Sequence, residues 1–449
     1  MPSRNLLVLS QVFVPDPAAV GQYMFDAAEA LVREGWRVKV YAAERGYDDP
    51  RRKYPVCESI HGVHIKRLPW SSFGKQSIPL RLLGQLSFVV QCFLRGVFSR
   101  RLDAILVTTS PPMGGVVAWA IALFRRVPIH FWVMDINPDQ AVRLGAFPET
   151  HPFVRIFNLY MKGILRKARS VIALDHYMAD RLRSKTGGGR SPKAEGSGQW
   201  AEGSGQEQRN DDSRFSDRSQ ADSRLFVLPP WPMDDYLEPV APEENPFRIK
   251  HGLGGKTVFL YSGNHSLAHP IATFLEAAAR LKEDPRAAFL FVGGGKRKEE
   301  VEEAARAHGA ANLHSLPYQP LDRIRYSLSA GDIHLVSMGG EMVGCVHPCK
   351  FYSALVLGKP ILYLGPRRSH IGDLLAEHDI GWRIDHGDVA GMEALYREIL
   401  ASPPEKLQKK GARARHLVEN GPFQREKMLR EFVEIVESAP QARCRTTNA

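Results

Sequence analysis

Residues 5–41 read NLLVLSQVFVPDPAAVGQYMFDAAEALVREGWRVKVY, and this stretch decides the fold. Asn5 to Ser10 is a short unbroken apolar run of the kind buried on both faces within a parallel sheet. A turn with Pro15, Pro17 and Gly21 follows, and Gln22 to Arg33 then set Met24, Ala27, Ala28, Ala30, Leu31 and Val32 at helical spacing. Glu34-Gly35 stops the helix and Val38 to Tyr41 begin a second strand, which completes a βαβ unit. Further strands are predicted at Val63–Arg67, Ala104–Thr108, Ile129–Met134 and Ser170–Leu174. A second series has strands at Thr257–Ser262, Ala287–Val292, Ile333–Ser337 and Pro360–Leu364, with helices at Ile271–Leu281, Glu299–His308 and Ser353–Leu357. Strands alternating with helices imply α/β architecture: two Rossmann-like doubly wound domains facing a cleft, with ligands at the carboxyl ends of the strands.

Between the two series, Thr186 to Arg224 is rich in Gly, Ser, Gln and charge, and AEGSGQ occurs at 194–199 and again at 201–206. Such composition cannot bury enough apolar surface to offset chain entropy, so a disordered insertion is expected. The predicted organisation is an N-terminal domain at 1–185, the insertion at 186–224, a linker at 225–245 and a second domain at 246–423. An amphipathic crossover helix and flexible tail fill 424–449.

The 449 residues carry 60 Lys and Arg against 49 Asp and Glu, a net charge of +11. A 44% hydrophobic share with 24% charged residues is ordinary globular composition. Five scattered cysteines form no disulfide framework. No signal-peptide pattern opens the sequence, and no uncharged apolar run of about 18 residues occurs, so a cytoplasmic protein is expected. Basic residues gather in the first half, among them Arg51, Arg52, Lys53, Lys66, Arg67, Arg100, Arg101, Arg125 and Arg126. Nucleic acid, anionic lipid and a phosphorylated small molecule are the candidate partners. No zinc-finger spacing or RNP-type strand is present, which argues against nucleic acid.

Four loops carry candidate chemistry. Gly21 precedes a helix whose N–H groups could meet an anion, or it is simply a strand–helix turn. Asp135, in VMDINPD, falls where a strand ends, and reads equally as a cleft carboxylate or a helix cap. YSGNHSLAHP at 261–270 sets glycine and several donors between strand and helix, which suits a diphosphate. GGEMVGCVHPCKFYSALVLGKP at 339–360 sets Glu341 and Lys350 around a Gly/Pro-rich loop, where a carboxylate can bind sugar hydroxyls and a lysine can neutralise a departing phosphate. Cys345, His347 and Cys349 lack a second ligand pair, so no metal site is expected.

These motifs, with SQVFVPDPAAVGQ, RGYDDP, LPPWP, ENPFRIKHGL, FVGGG and FQREKML, occur in the order found in GT-B glycosyltransferases of family 4. The sequence resembles the branch that assembles bacterial surface polysaccharides, over nearly its whole length apart from the insertion and the tail. The resemblance implies a retaining transferase that needs no metal or other cofactor, moving a hexose or N-acetylhexosamine-type sugar from a UDP- or GDP-sugar to a glycan or polyprenyl-linked acceptor. It places the family's N-terminal glycine loop on Ala19, Val20 and Gly21. The arginine and lysine that relatives set on the donor diphosphate fall on Asn264 and His269, with Lys350 left to supply charge. Glu341 matches the first glutamate of the family's E-x7-E pair, and Ser353 takes the second position. The implied site is catalytic Asp135, Lys350 and Glu341; donor-binding Gly21, Gly263, Asn264, His269, Gly294, Tyr318, Lys350, Phe351 and Ser353; and acceptor-side Asp16 and Asp139. A sugar-nucleotide epimerase on the same fold and a catalytically impaired nucleotide-sugar-binding subunit are the alternatives.

Leu80 to Phe98 is strongly apolar, with Arg81 and Arg95 inside it and Arg100-Arg101 behind. It reads either as a core helix or as a helix lying against an anionic membrane at the inner face of the plasma membrane.

Overall fold

The computed structural model describes residues 4–16, 18–46, 49–73, 78–186, 223–233, 237–308 and 312–438. The insertion read at 186–224, save its end residues, and the tail from 439 lie outside the described residues. The chain divides into two compact units, one of Met1–Pro229 with Leu429–Ala449 and one of Pro230–Met428.

The first unit holds strands β1 (Asn5–Leu9), β2 (Arg37–Ala43), β3 (Cys57–Ile60), β4 (Val63–Leu68), β5 (Ala104–Thr108), β6 (Ile129–Trp132), β7 (Ser170–Ala173) and β8 (Leu225–Val227). They form one sheet in the order β3-β4-β2-β1-β5-β6-β7-β8. Asn5 pairs with Arg37 and Leu6 with Ala104, so the opening apolar run lies at the centre, and only the β3–β4 pair is antiparallel. The connecting helices are α1 (Ala19–Arg33), α2 (Ile78–Val97), α3 (Gly114–Arg125), α4 (Asp139–Arg143), α5 (Pro152–Lys167) and α6 (His176–Thr186). Helix α1 buries Tyr23, Met24, Ala27, Ala28 and Leu31, a 3.6-residue stripe that seats it on the sheet. Arg67, read above as part of a basic surface, is buried: it pairs with Glu58 at 2.5 Å and donates to the Val14 carbonyl at 2.6 Å.

The second unit contains helices α7 (Pro246–Lys250), α8 (Ala272–Ala279), α9 (Lys298–His308), α10 (Ile324–Ser329), α11 (Lys350–Val356), α12 (His370–His378), α13 (Val389–Ala401) and α14 (Pro404–Glu419). Helix α15 (Arg425–Ser438) starts in this unit and ends in the first, where Phe432 lies 4.8 Å from Trp132. The strands are β9 (Thr257–Asn264), β10 (Ala287–Gly294), β11 (Leu313–Leu316), β12 (Ile333–Ser337), β13 (Ile361–Leu364) and β14 (Gly381–Ile384). They pair all in parallel in the order β11-β10-β9-β12-β13-β14. In its core Phe259 stacks on Phe289 at 5.1 Å, and the Tyr396 ring packs at a steep angle against both, within 4.9 Å. Arg248 fixes the base of β9, because it pairs with Asp332 at 3.1 Å while the same carboxylate accepts the Val258 N–H at 2.8 Å.

Candidate functional site

In the second unit the chain passes from β9 to β10 on one side and later sets β12 on the other, so the strand order reverses between β9 and β12. The loops after those two strands lie side by side at the carboxyl edge, the place where sheets of this kind bind ligands. They are residues 265–271 and 338–349.

Strands β9 and β10 run two residues further than the apolar pattern suggests, and Gly263 pairs with Gly293, Asn264 with Gly294. A Cβ on Gly293 (φ +138) would lie 2.0 Å from the Gly263 carbonyl oxygen, so only glycine lets the two strand ends close there. The His265 N–H donates to the Gly294 carbonyl at 2.8 Å. The Tyr318 hydroxyl donates to the same oxygen at 3.2 Å, and its ring is otherwise exposed.

Lys350 opens α11, and its side chain reaches back over this floor. The residue as a whole is half-buried, but Nζ is sealed from solvent and has no hydrogen-bond partner among the described residues. The ammonium stands 3.7 Å from the centre of the Tyr261 ring, and Cε lies 3.8 Å from where a Gly263 Cβ would be. Burial pulls the Lys350 pKa down to about 7. Burial first and the Lys350 charge second bring His265 down to about 4 and His269 to about 3, so both rings are neutral near pH 7. His269 Nδ1 is 2.6 Å from the Ser337 carbonyl, which can only accept, so Nδ1 bears the hydrogen and Nε2 keeps a lone pair. A neutral His269 cannot replace the cation that the family resemblance implies at its position. The cations left beside the two histidines are Lys350, in its protonated form, with Arg297 and Lys298 adding to the field.

The remaining second-unit candidates divide into lining and packing groups. The Gly339 N–H donates to the Ala268 carbonyl at 3.0 Å, which ties the loop bearing exposed Glu341 to the loop after β9. Ser353 lies one turn along α11 and donates to the Lys350 carbonyl at 2.8 Å. Glu341 and Ser353 stand twelve positions apart, not the eight of the family pair. Phe351, expected at the donor, is fully buried, with its ring against Tyr352 at 5.4 Å and Phe423 at 6.5 Å. It holds α11 in place and offers no ring to a ligand. The sequence reading gave no role to Tyr261, although it quoted the motif that Tyr261 opens, and passed over Arg297 and Lys298. Tyr261 is indistinguishable there from any strand aromatic, whereas the KRK run after FVGGG was a visible signal.

In the first unit the expected residues are spread over loops at the carboxyl ends of β1 and β6. Gly21 is the third residue of α1: its N–H donates to the Ala18 carbonyl at 2.9 Å, and a Cβ would lie 3.1 Å from Phe13 Cα. Close backbone approach, not an amide aimed at an anion, explains this glycine. Asp16 is buried, and its Oδ1 accepts the Ala18 N–H at 3.2 Å. Asp135 caps no helix, since α4 is preceded by Pro138; it is half-buried, and its N–H donates to Thr109 Oγ1 at 3.1 Å. Asp139 faces elsewhere, paired with Lys185 at 2.5 Å in the wall of a cavity of about 770 Å³ that also exposes Arg143, Arg155 and Lys162.

In the second unit a buried lysine over a glycine floor thus stands at the switch point of a parallel sheet, where ligands of α/β folds bind. Two family models match the sequence: a glycosyl transferase 4-like domain over residues 18–193, and the glycosyl transferases group 1 domain over residues 243–417. The chain belongs to the family 4 glycosyltransferases of GT-B fold and is an enzyme of that class. A Pseudomonas aeruginosa protein described as the glycosyltransferase WbjE is 25% identical over 327 residues, 71% of this chain and 72% of that protein. An Escherichia coli (strain K12) protein described as the colanic acid biosynthesis glycosyl transferase WcaI is 28% identical over 179 residues, 40% of this chain and 42% of that one. Among solved structures, Anabaena HepE with UDP and glucose superposes with a TM-score of 0.66 at 15% identity, over 97% of this chain and 100% of the other. WaaG, a glycosyltransferase of lipopolysaccharide biosynthesis, superposes with a TM-score of 0.63 at 14% identity, over 96% and 99%. These structural likenesses show the fold.

Proposed function

We propose that the chain transfers a hexose or N-acetylhexosamine-type sugar from a UDP- or GDP-sugar to a glycan or polyprenyl-linked acceptor, in the assembly of a cell-surface polysaccharide. Transfer proceeds with retention of anomeric configuration and uses no metal. The observation that carries this reading is the Lys350 ammonium, sealed and unpaired over Gly263 and Tyr261. A buried cation is costly to maintain and is best neutralised by an anion brought by the substrate. Crystal structures of HepE with UDP and with UDP-glucose favour UDP as the nucleotide, and the description of WcaI favours a surface polysaccharide as the product.

As the bond from the anomeric carbon to the leaving phosphate oxygen lengthens, positive charge grows on the sugar and negative charge on that oxygen. Lys350 faces the oxygen together with the Gly263-Asn264 backbone, a stabilisation of about 3–4 kcal/mol by comparison with oxyanion-hole deletions. Glu341 takes donor hydroxyls, neutral His269 accepts from another through Nε2, and Asp135 orients the sugar or acceptor.

The test begins with a thermal-shift screen of nucleotide sugars, followed by turnover of the best donor with lipid-linked acceptors. A retained anomeric configuration in the product, read by NMR coupling, is expected. Lys350→Ala should lower kcat by about 10²–10³-fold. An inverted product, or full turnover by Lys350→Ala, would refute the reading; nucleotide release in acceptor-free solution at the transfer rate would favour a hydrolase.

A further inference from the structure

A second feature of the first unit is unrelated to donor chemistry. The connections β4–α2–β5, β5–α3–β6 and β6–α5–β7 all step the same way across the sheet. Right-handed crossovers therefore put α2, α3 and α5 on one face. Helix α2 packs on α3, with Phe93 and Phe124 rings 5.8 Å apart, and α3 packs on α5.

The outer surface of this layer is apolar. On α2, Leu83, Leu86, Val90 and Leu94 recur every three or four residues and are all exposed. On α3, Trp119 and Leu123 follow the same spacing, with Leu123 66% exposed. On α5, Phe153, Ile156 and Leu159 continue it, with Leu159 71% exposed. Helix α2 is long and apolar enough to cross a bilayer by composition, yet its inner residues Phe88 and Cys92 are buried, so it is a packed helix with an uncovered outer stripe.

Charge selects what covers the face. None of the three helices contains an Asp or Glu. Exposed cations close each of their carboxyl ends: Arg100 and Arg101 after α2, Arg126 after α3, and Arg166 with Lys167 on α5. An apolar stripe on helices that carry no carboxylate and end in exposed cations is complementary to a lipid surface that bears negative headgroups.

We propose that the α2–α3–α5 face of the first unit is a membrane-docking surface, on which these helices lie flat in the headgroup region of a bilayer containing anionic phospholipid. The sequence reading reached only α2; the packing of α3 and α5 beside it makes one continuous face. The inference stands on the first unit alone and does not rest on the donor site.

The experiment is flotation of the full chain with vesicles of phosphatidylcholine alone and of phosphatidylcholine with phosphatidylglycerol. Binding is expected only with phosphatidylglycerol, and each of three double variants should weaken it about tenfold or more: Leu86→Glu with Leu94→Glu, Leu123→Glu with Leu159→Glu, and Arg100→Glu with Arg101→Glu. An unchanged melting temperature and unchanged UDP binding by the second unit show that each variant is folded, and keep this outcome separate from that of the transferase reading. Failure of the unaltered chain to float, equal binding to both vesicle types, or wild-type flotation by the Leu123/Leu159 variant would overturn the proposal. So would a lipid-free dimer that these variants dissociate, since a second copy would then cover the face.

Discussion

Gly293 sits directly against the carbonyl oxygen of Gly263, and a single methyl group at Gly293 would intrude to 2.0 Å. The contact is with backbone, so no side chain can swing aside, and φ of +138° adds strain for any L residue. Gly293→Ala should cost about 1–3 kcal/mol and displace the loop that carries His265. Lowered thermal stability together with weakened UDP binding is the expected result. Gly163→Ala, on α5 with open space around it, should leave binding intact and raise stability by up to about 1 kcal/mol.

Donor affinity should depend on pH through Lys350. The free ammonium titrates near 7, and a diphosphate placed beside it raises that value. Above pH 7 the complex then holds a proton that the free protein has released, so affinity for a UDP-sugar falls with rising pH, by up to about tenfold per unit. Calorimetry from pH 6 to 9 reads the slope. Lys350→Met should bind weakly with a flat profile, and a flat profile in the unaltered chain would contradict the assignment.

Tyr318 presents an open ring beside Gly294 while its hydroxyl is anchored on the Gly294 carbonyl. Stacking of a nucleobase on that ring would be worth about 1–3 kcal/mol. Tyr318→Ala should therefore weaken UDP about tenfold or more, with pyrophosphate binding and melting temperature unchanged.

Asp139 is committed to Lys185, which also donates to Asn158 at 2.8 Å. Asp139→Ala leaves that ammonium short of its charged partner and should lower stability by about 1–3 kcal/mol. The KM for acceptor should stay as it was; a rise in KM at constant stability would restore Asp139 to the acceptor site.

The central strands were plain in the sequence, and the edges were not. Strands β5 and β12 occupy the predicted spans, because both are flanked by neighbours and read as unbroken apolar runs. Strands β3, β11 and β14 went unread, and all three lie at sheet edges. Sequences such as CESI and LHSL bury one face at most and show no run to detect. Within the site, the glycine loops and Lys350 were legible from residue type and position. Tyr261 beneath Lys350, the neutrality of His269 and the burial of Phe351 were not, since each depends on which distant segments pack together. Asp139 shows the converse: its motif drew attention, but its partner lies 46 positions away.

If α2, α3 and α5 rest on a bilayer, the sheet above them floats at a fixed altitude of about 10 Å, one helix diameter. The segments bearing Asp16 and Asp135 leave that sheet at its carboxyl rim. A hydroxyl on a sugar joined directly to a lipid phosphate would sit beneath them, while one carried a residue or two outward along a growing oligosaccharide would be level. With the lipid-linked acceptor proposed above, the thickness of a helical layer would thus act as a ruler, setting how far from its anchor a glycan must already extend before this enzyme can lengthen it.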